Sequence, residues 1–205
     1  MQHVEAVDFL QKSDPILAEI IAQVGACRLG EERVEGDVLS GLVRSILYQQ
    51  LSGKAAATIH QRFLQLYPDR LHPTATDILN TDDDALRVVG ISRQKIGYLK
   101  DLSQKVIDGL PSLAELEKMD DEAIVKTLTE VKGVGRWTVQ MLLIFRMHRL
   151  NVMPVDDLGI RMGIKKVYGL DELPNKKQIE VLAQKWQPYC SIASWYLWRS
   201  LELKA

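Results

Sequence analysis

Apolar side chains recur at helical spacing through nearly all of this 205-residue chain, and that pattern alone leaves few folds open. Leu39, Leu42, Val43, Ile46 and Leu47 fall at i, i+3, i+4, i+7 and i+8, one face of a helix. Ala55, Ile59, Phe63 and Leu66 repeat the spacing after a break at Ser52-Gly53, with Ser52 as the expected cap. Ser92 opens a helix carrying Ile96, Leu99, Leu102 and Val106, and Gly109 stops it. Asp14-Pro15 starts another, because proline is tolerated at the first helical position. Thr81 before Asp82, Asp83 and Asp84 looks at first like a run of metal ligands. A capping Thr with three acids in the first turn explains it better, since the helix dipole favours negative charge there. No segment alternates apolar and polar residues as a strand would, and residues 151–155 are short and interrupted by Pro154. The expectation is an all-α chain of helices joined by short turns.

Composition narrows the function classes. With 46% apolar and 26% charged residues, the chain suits one domain or two small lobes with a core that needs no staples. Cys27 and Cys190 are too few and too far apart for a disulfide framework or a metal cluster. His3, His60, His72 and His148 have no metal-ligand spacing, so neither a cofactor nor a catalytic metal is expected. No apolar run approaches membrane-spanning length and the first residues carry no export signal, which points to a reducing cytosol and no membrane. The net charge of -1 hides an asymmetry. Residues 1–43 carry three basic and eight acidic side chains, residues 131–205 twelve basic and six acidic. A basic C-terminal third permits a nucleic-acid partner without demonstrating one.

The most informative passage runs from Leu128 to Gln140, where Gly133-Val134-Gly135 separates two helices. Paired glycines allow positive φ and a close backbone approach. Just before a helix they leave N–H groups at its positive end, a ready phosphate site, and Lys132 and Arg136 flank it with charge. A plain helix–helix turn with a glycine cap uses the same residues.

Leu128-x-x-Val131-Lys132-Gly133-Val134-Gly135-Arg136-Trp137-Thr138, followed by Met153-Pro154-Val155-Asp156-Asp157-Leu158-Gly159-Ile160-Arg161, resembles the helix-hairpin-helix (HhH-GPD) DNA glycosylases, and among them the branch that excises alkylated bases, DNA-3-methyladenine glycosylase II. Two upstream blocks agree, residues 46–56 around Gln49-Gln50-Leu51-Ser52 and Gly90-Ile91-Ser92-Arg93-Gln94-Lys95. The resemblance spans roughly residues 36–200.

It implies a two-lobed helical fold with the DNA cleft between lobes, in one domain over residues 1–205. The hairpin would run from about 121 to 148, the N- and C-terminal helices would share a lobe, and no extra N-terminal β domain is expected. A buried base must be flipped out and its vacancy filled, and the resemblance puts Gln50, with Leu51 beside it, in that gap. Gly133, Val134 and Gly135 would anchor a phosphate, aided by Lys132 and Arg136, with a monovalent cation allowed at 131–135. Trp137 and Trp198 match pocket positions, where electron-rich rings attract a cationic base. Met141 and Leu158 stand where tyrosines are expected, so the pocket is less aromatic and its substrate range open.

The catalytic group would be a carboxylate that stabilises positive charge on the sugar. The Asp-Leu-Gly-Ile-Arg tail selects Asp157, whereas iron–sulfur relatives would select Asp156. A capping role for the helix from Leu158 fits Asp156, so the pair can divide two tasks. Relatives that nick the strand carry Lys where this chain has Trp137, which implies a monofunctional hydrolase without lyase chemistry. The expected partner is double-stranded DNA with alkylated bases, in the nucleoid or nucleus. The enzyme would be monomeric, with no obligate protein partner. The alternative is a non-enzymatic helix-hairpin-helix module that binds DNA structure.

Overall fold

A computed structural model describes residues 3–31 and 36–203. Among them the regular structure is thirteen α-helices and one 3₁₀ turn, with no strand. Glu32, Arg33, Glu35 and Lys204, which enter the charge asymmetry, lie outside the described residues. No helix is long and apolar enough to cross a membrane among the described residues. The chain divides into two compact units: Met1–Arg33 with Leu143–Ala205, and Val34–Leu142.

The first unit begins with α1 (Val4–Ser13) and α2 (Pro15–Val24). Asp14 caps α2, its carboxylate accepting from the N–H groups of Ile16 and Leu17, as the Asp-Pro pair predicts. The second unit contains α3 (Val38–Tyr48), α4 (Gly53–Gln65), α5 (Ala75–Asn80), α6 (Asp83–Val88), α7 (Arg93–Ile107), α8 (Leu113–Leu116), α9 (Asp121–Leu128) and α10 (Arg136–Phe145), the last turn of which is counted with the first unit. The first unit resumes with α11 (Leu158–Val167), α12 (Lys176–Ala183), the 3₁₀ turn Gln184–Trp186 and α13 (Cys190–Ser200).

In the second unit Leu42, Ile46 and Leu47 of α3, Phe63, Ile78, Leu86, Leu99 and Leu102 are all fully buried. The α3 stripe is therefore the one its spacing predicts. Ser52 and Ser92 cap α4 and α7, and Gly109 follows α7 at φ +103°. Two local readings shift by one residue. Ala56, not Ala55, is the buried alanine of α4, because burial there follows Ala56, Ile59 and Phe63. Asp82, not Thr81, caps α6: Thr81 closes α5, its hydroxyl donating to the Asp77 carbonyl at 2.7 Å. In the first unit Leu10, Leu17, Trp186, Ile192, Tyr196 and Leu197 make the core.

Candidate functional site

In the first unit, α11 and α13 pack closely because α11 offers glycine at i and i+4. A Cβ on Gly163 would lie 2.6 Å from the Leu197 carbonyl oxygen, and one on Gly159 would lie 2.9 Å from the Trp198 ring. The spacing lets Trp198 lie against the start of α11. Its indole Nε1–H donates to Asp157 Oδ1 at 2.9 Å, and the same oxygen accepts the Ile160 N–H at 2.8 Å. The Trp198 face stacks on Phe145, ring centres 5.5 Å apart and planes within 28°. Phe145 is 39% exposed and Leu158, at the head of α11, is 57% exposed. The arrangement is a half-buried carboxylate oriented by two donors, beside an aromatic pair with an open flank.

The two aspartates therefore divide their tasks differently from the sequence reading. Asp157, not Asp156, caps α11, because the residue before the first helical position supplies the cap. Asp156 is exposed and ion-pairs with Lys176 at 2.7 Å. Capping does not exclude chemistry at Asp157; it fixes one of the two carboxylate oxygens.

In the second unit the hairpin between α9 and α10 has its own geometry. Val131 and Val134 are buried, and the Val134 N–H donates to the Val131 carbonyl at 3.1 Å. The Lys132 N–H donates to Asp101 Oδ2 at 2.8 Å, with its ammonium 3.4 Å from Oδ1. Both guanidinium branches of Arg136 bind Glu122, at 2.7 and 2.6 Å. Of the three N–H groups read as phosphate donors, that of Val134 already has an acceptor, and the flanking charges of Lys132 and Arg136 each have a carboxylate partner. Only Gly133 uses positive φ, at +79°. Its second constraint is Tyr98 of α7, whose ring would clash with a Cβ at position 133.

Gly133→Ala is therefore expected to destabilise the protein by about 2–3 kcal/mol, from left-handed backbone cost plus displacement of Tyr98. Gly135→Ala, with no atom within 4 Å of its Cβ, is expected to cost less, about 0.5–1 kcal/mol, from the poorer cap that alanine makes before α10. Urea unfolding compares them, and equal costs would remove the special role of Gly133.

The turn between α3 and α4 separates its two glutamines. Gln49 is half-buried, and its carboxamide donates to the Gly133 carbonyl at 2.8 Å and to Thr138 Oγ1 at 3.4 Å. Gln50 is exposed with φ +57°, and Leu51 beside it is 42% exposed. Trp137, on the first turn of α10, is 39% exposed, and Met141 one turn later is half-buried. Both belong to the second unit, whereas Asp157, Leu158 and Trp198 belong to the first. The residues that sequence reasoning missed are Phe145, Gly159 and Gly163. The glycine pair at i, i+4 was a visible signal, but an aromatic ending a continuous apolar run carries none.

Among the described residues no group of three or more His, Cys, Asp or Glu side chains is placed to hold a metal ion.

The model of the HhH-GPD superfamily base excision DNA repair proteins matches residues 43–188. DNA-3-methyladenine glycosylase 1 of Schizosaccharomyces pombe is 36% identical over 185 residues, 90% of this chain and 81% of that protein. The solved structure of the S. pombe 3-methyladenine DNA glycosylase Mag1, in complex with abasic DNA, superposes with a TM-score of 0.91 at 34% identity, covering 98% of both chains. A DNA-3-methyladenine glycosidase structure from Bacillus halodurans follows with a TM-score of 0.82 at 32% identity, covering 97% of this chain and 88% of that one. The chain belongs to the HhH-GPD superfamily of base excision DNA repair proteins.

Proposed function

We propose that this chain is a monofunctional DNA glycosylase that hydrolyses the N-glycosidic bond of alkylated bases, of the 3-methyladenine and 7-methylguanine type, in duplex DNA. The observation that carries the reading is Asp157, its Oδ1 held by Ile160 and Trp198 beside the Phe145–Trp198 pair. Likeness along nearly the whole chain to 3-methyladenine glycosylases supports the substrate class.

The chemistry follows from charge. An alkylated ring nitrogen makes the base cationic, so it leaves readily, taking the C1′–N bond pair and becoming neutral. No strong general acid is needed. Positive charge then develops on the sugar, where the Asp157 carboxylate stabilises it and orients water. Water oxygen bonds to C1′ and its proton passes to the carboxylate and on to solvent, leaving an abasic site. A cationic base gains about 0.5–2 kcal/mol against electron-rich rings. Trp198, stacked on Phe145, supplies such a face in the first unit, where Leu158 gives an apolar wall; Trp137 and Met141 are pocket positions by the resemblance alone.

Gln50 and Leu51 are read as the residues that fill the vacated stack. Phosphate binding is assigned to the Gly133 and Gly135 N–H groups, flanked by Lys132 and Arg136, whose charges are shared with Asp101 and Glu122. A monovalent cation at 131–135 would be held by backbone carbonyls. Those of Val131 and Gly133 each accept one hydrogen bond and keep a second lone pair. It would supply only charge neutralisation beside a phosphate. Residues 1–205 are read as one domain acting as a monomer.

Trp137 has no amine to form a Schiff base. The test is free-base release from methylated duplex DNA, with strand integrity followed on a gel. N3-methyladenine or N7-methylguanine is expected in solution, with strands intact until alkali is added. A chain that binds DNA but frees no base would overturn the reading in favour of the non-enzymatic hairpin module.

A further inference from the structure

The block Gly90-Ile91-Ser92-Arg93-Gln94-Lys95 has so far only opened α7, yet three half-buried side chains on that helix reach both turns read as DNA contacts. Lys95, Tyr98 and Asp101 lie at i, i+3 and i+6, along one edge of the core stripe Ile96, Leu99 and Leu102. Lys95 Nζ donates to the carbonyls of Leu47 and Gln49, both at 2.8 Å. These carbonyls end α3, where helix acceptors lack internal partners and the dipole favours a cation. Tyr98 fills the space that glycine leaves open at 133, and Asp101 takes the Lys132 N–H. Gln49 closes the circuit with its carboxamide on the Gly133 carbonyl.

Between these anchors sits Gln50 at φ +57°, a conformation that side-chain-bearing residues hold only where their surroundings over-determine it. Lys95 grips the turn on one side, and the Ser52 cap of α4 holds it on the other. A side chain pushed into a base stack needs a turn that does not yield. The spacing from that turn to the phosphate-holding hairpin sets which nucleotide is displaced.

From this geometry we infer that Lys95 is a positioning residue for base extrusion: with Gln49 it locks the Gln50 turn to the hairpin, presetting the register between gap-filling residue and phosphate anchor. Burial pushes the Lys95 ammonium pKa down, in keeping with a side chain committed to internal acceptors. The inference rests on the function proposed above.

The test exploits the fact that a mispaired base costs less to extrude than a paired one. Single-turnover release of 7-methylguanine is measured from two duplexes that differ only in the opposite base, cytosine or thymine. Lys95→Met is expected to slow release from the paired duplex about tenfold and from the mispaired one less than about threefold. Lys95→Arg, which can still donate to both carbonyls, is expected to restore the paired rate to within about threefold. Gln49→Met is expected to give the same split, and it serves if Lys95→Met does not fold. A merely structural role would lower both rates together, so equal losses, or no loss, overturn the inference while leaving the glycosylase reading intact. A wild-type chain that releases neither 7-methylguanine from these duplexes nor 3-methyladenine from methylated duplex DNA overturns that reading, and the inference with it.

Discussion

Asp157→Asn is expected to slow base release by about 10²–10³-fold while DNA binding and the fold persist. The substitution removes the charge and keeps the shape of the side chain. An Asn oxygen still accepts the Ile160 N–H that caps α11 and the Trp198 indole N–H, now 2.8 and 2.9 Å from Asp157 Oδ1. The variant keeps its cap, the position of Trp198 and the Phe145 stack, and lacks the negative charge that would meet the developing cation on the sugar. Asp156→Asn is the matched control. Its exposed pair with Lys176 contributes about 0–1 kcal/mol, and base release is expected within about twofold of wild type. Single-turnover rates on methylated duplex, with affinity measured in parallel, separate the two. Unchanged release in Asp157→Asn would sink the assignment, and loss confined to Asp156→Asn would transfer it to the neighbour.

Asp14→Ala is expected to cost about 3–5 kcal/mol of stability, with the melting temperature about 10 °C lower. Asp14 is fully buried at the start of α2 and gathers more than the cap. Its Oδ2 accepts from the Tyr168 hydroxyl, from Trp186 Nε1 at 2.8 Å and from the Lys185 ammonium at 2.9 Å. Removing the carboxylate strands all three donors, one of them charged, as well as uncapping the helix. Asp14→Asn keeps an acceptor and loses the charge, so it is expected to fall between the two. Urea unfolding followed by tryptophan emission reads the effect, and a loss under about 1 kcal/mol would reduce Asp14 to an ordinary cap.

The same cluster sets an acid limit. Burial pushes the Asp14 carboxyl up, but the hydrogen bonds from Tyr168, Lys185 and Trp186 outweigh it and hold the pKa below the ordinary 3.8. A folded-state pKa below the unfolded one means stability that is complete above the unfolded value and lost as pH falls through the folded value. Asp14 therefore supports the fold throughout the neutral range and withdraws its contribution only below about pH 4.

How much was legible in advance depended on the range of the interaction. Caps at Asp14, Ser52 and Ser92 act within three residues, and the α3 stripe needs only the helical repeat, so both could be read from the chain. The one-residue shifts at Ala56, Asp82 and Asp157 arose because neighbouring residues equally suited to one position compete for it, and the backbone's exact entry into the helix decides between them. The motif residues of the site were legible as types. Their engagement was not, because the partners lie far along the chain: Asp101 for Lys132, Glu122 for Arg136, Trp198 for Asp157 and Gly133 for Gln49.

By itself, then, the sequence determined the all-helical class, the helix starts at Asp14, Ser52 and Ser92, the glycine hairpin and the adjacent aspartates, because all of these follow from contacts within a turn or two of the chain. Only the tertiary structure decided which aspartate stands beside an aromatic pair and which pairs with a surface lysine. It likewise decided that α7 ties the Gln50 turn to the hairpin. Those outcomes depend on how closely two helices approach, and that distance is set by a missing Cβ at Gly159, Gly163 or Gly133 meeting a side chain or carbonyl tens of residues away.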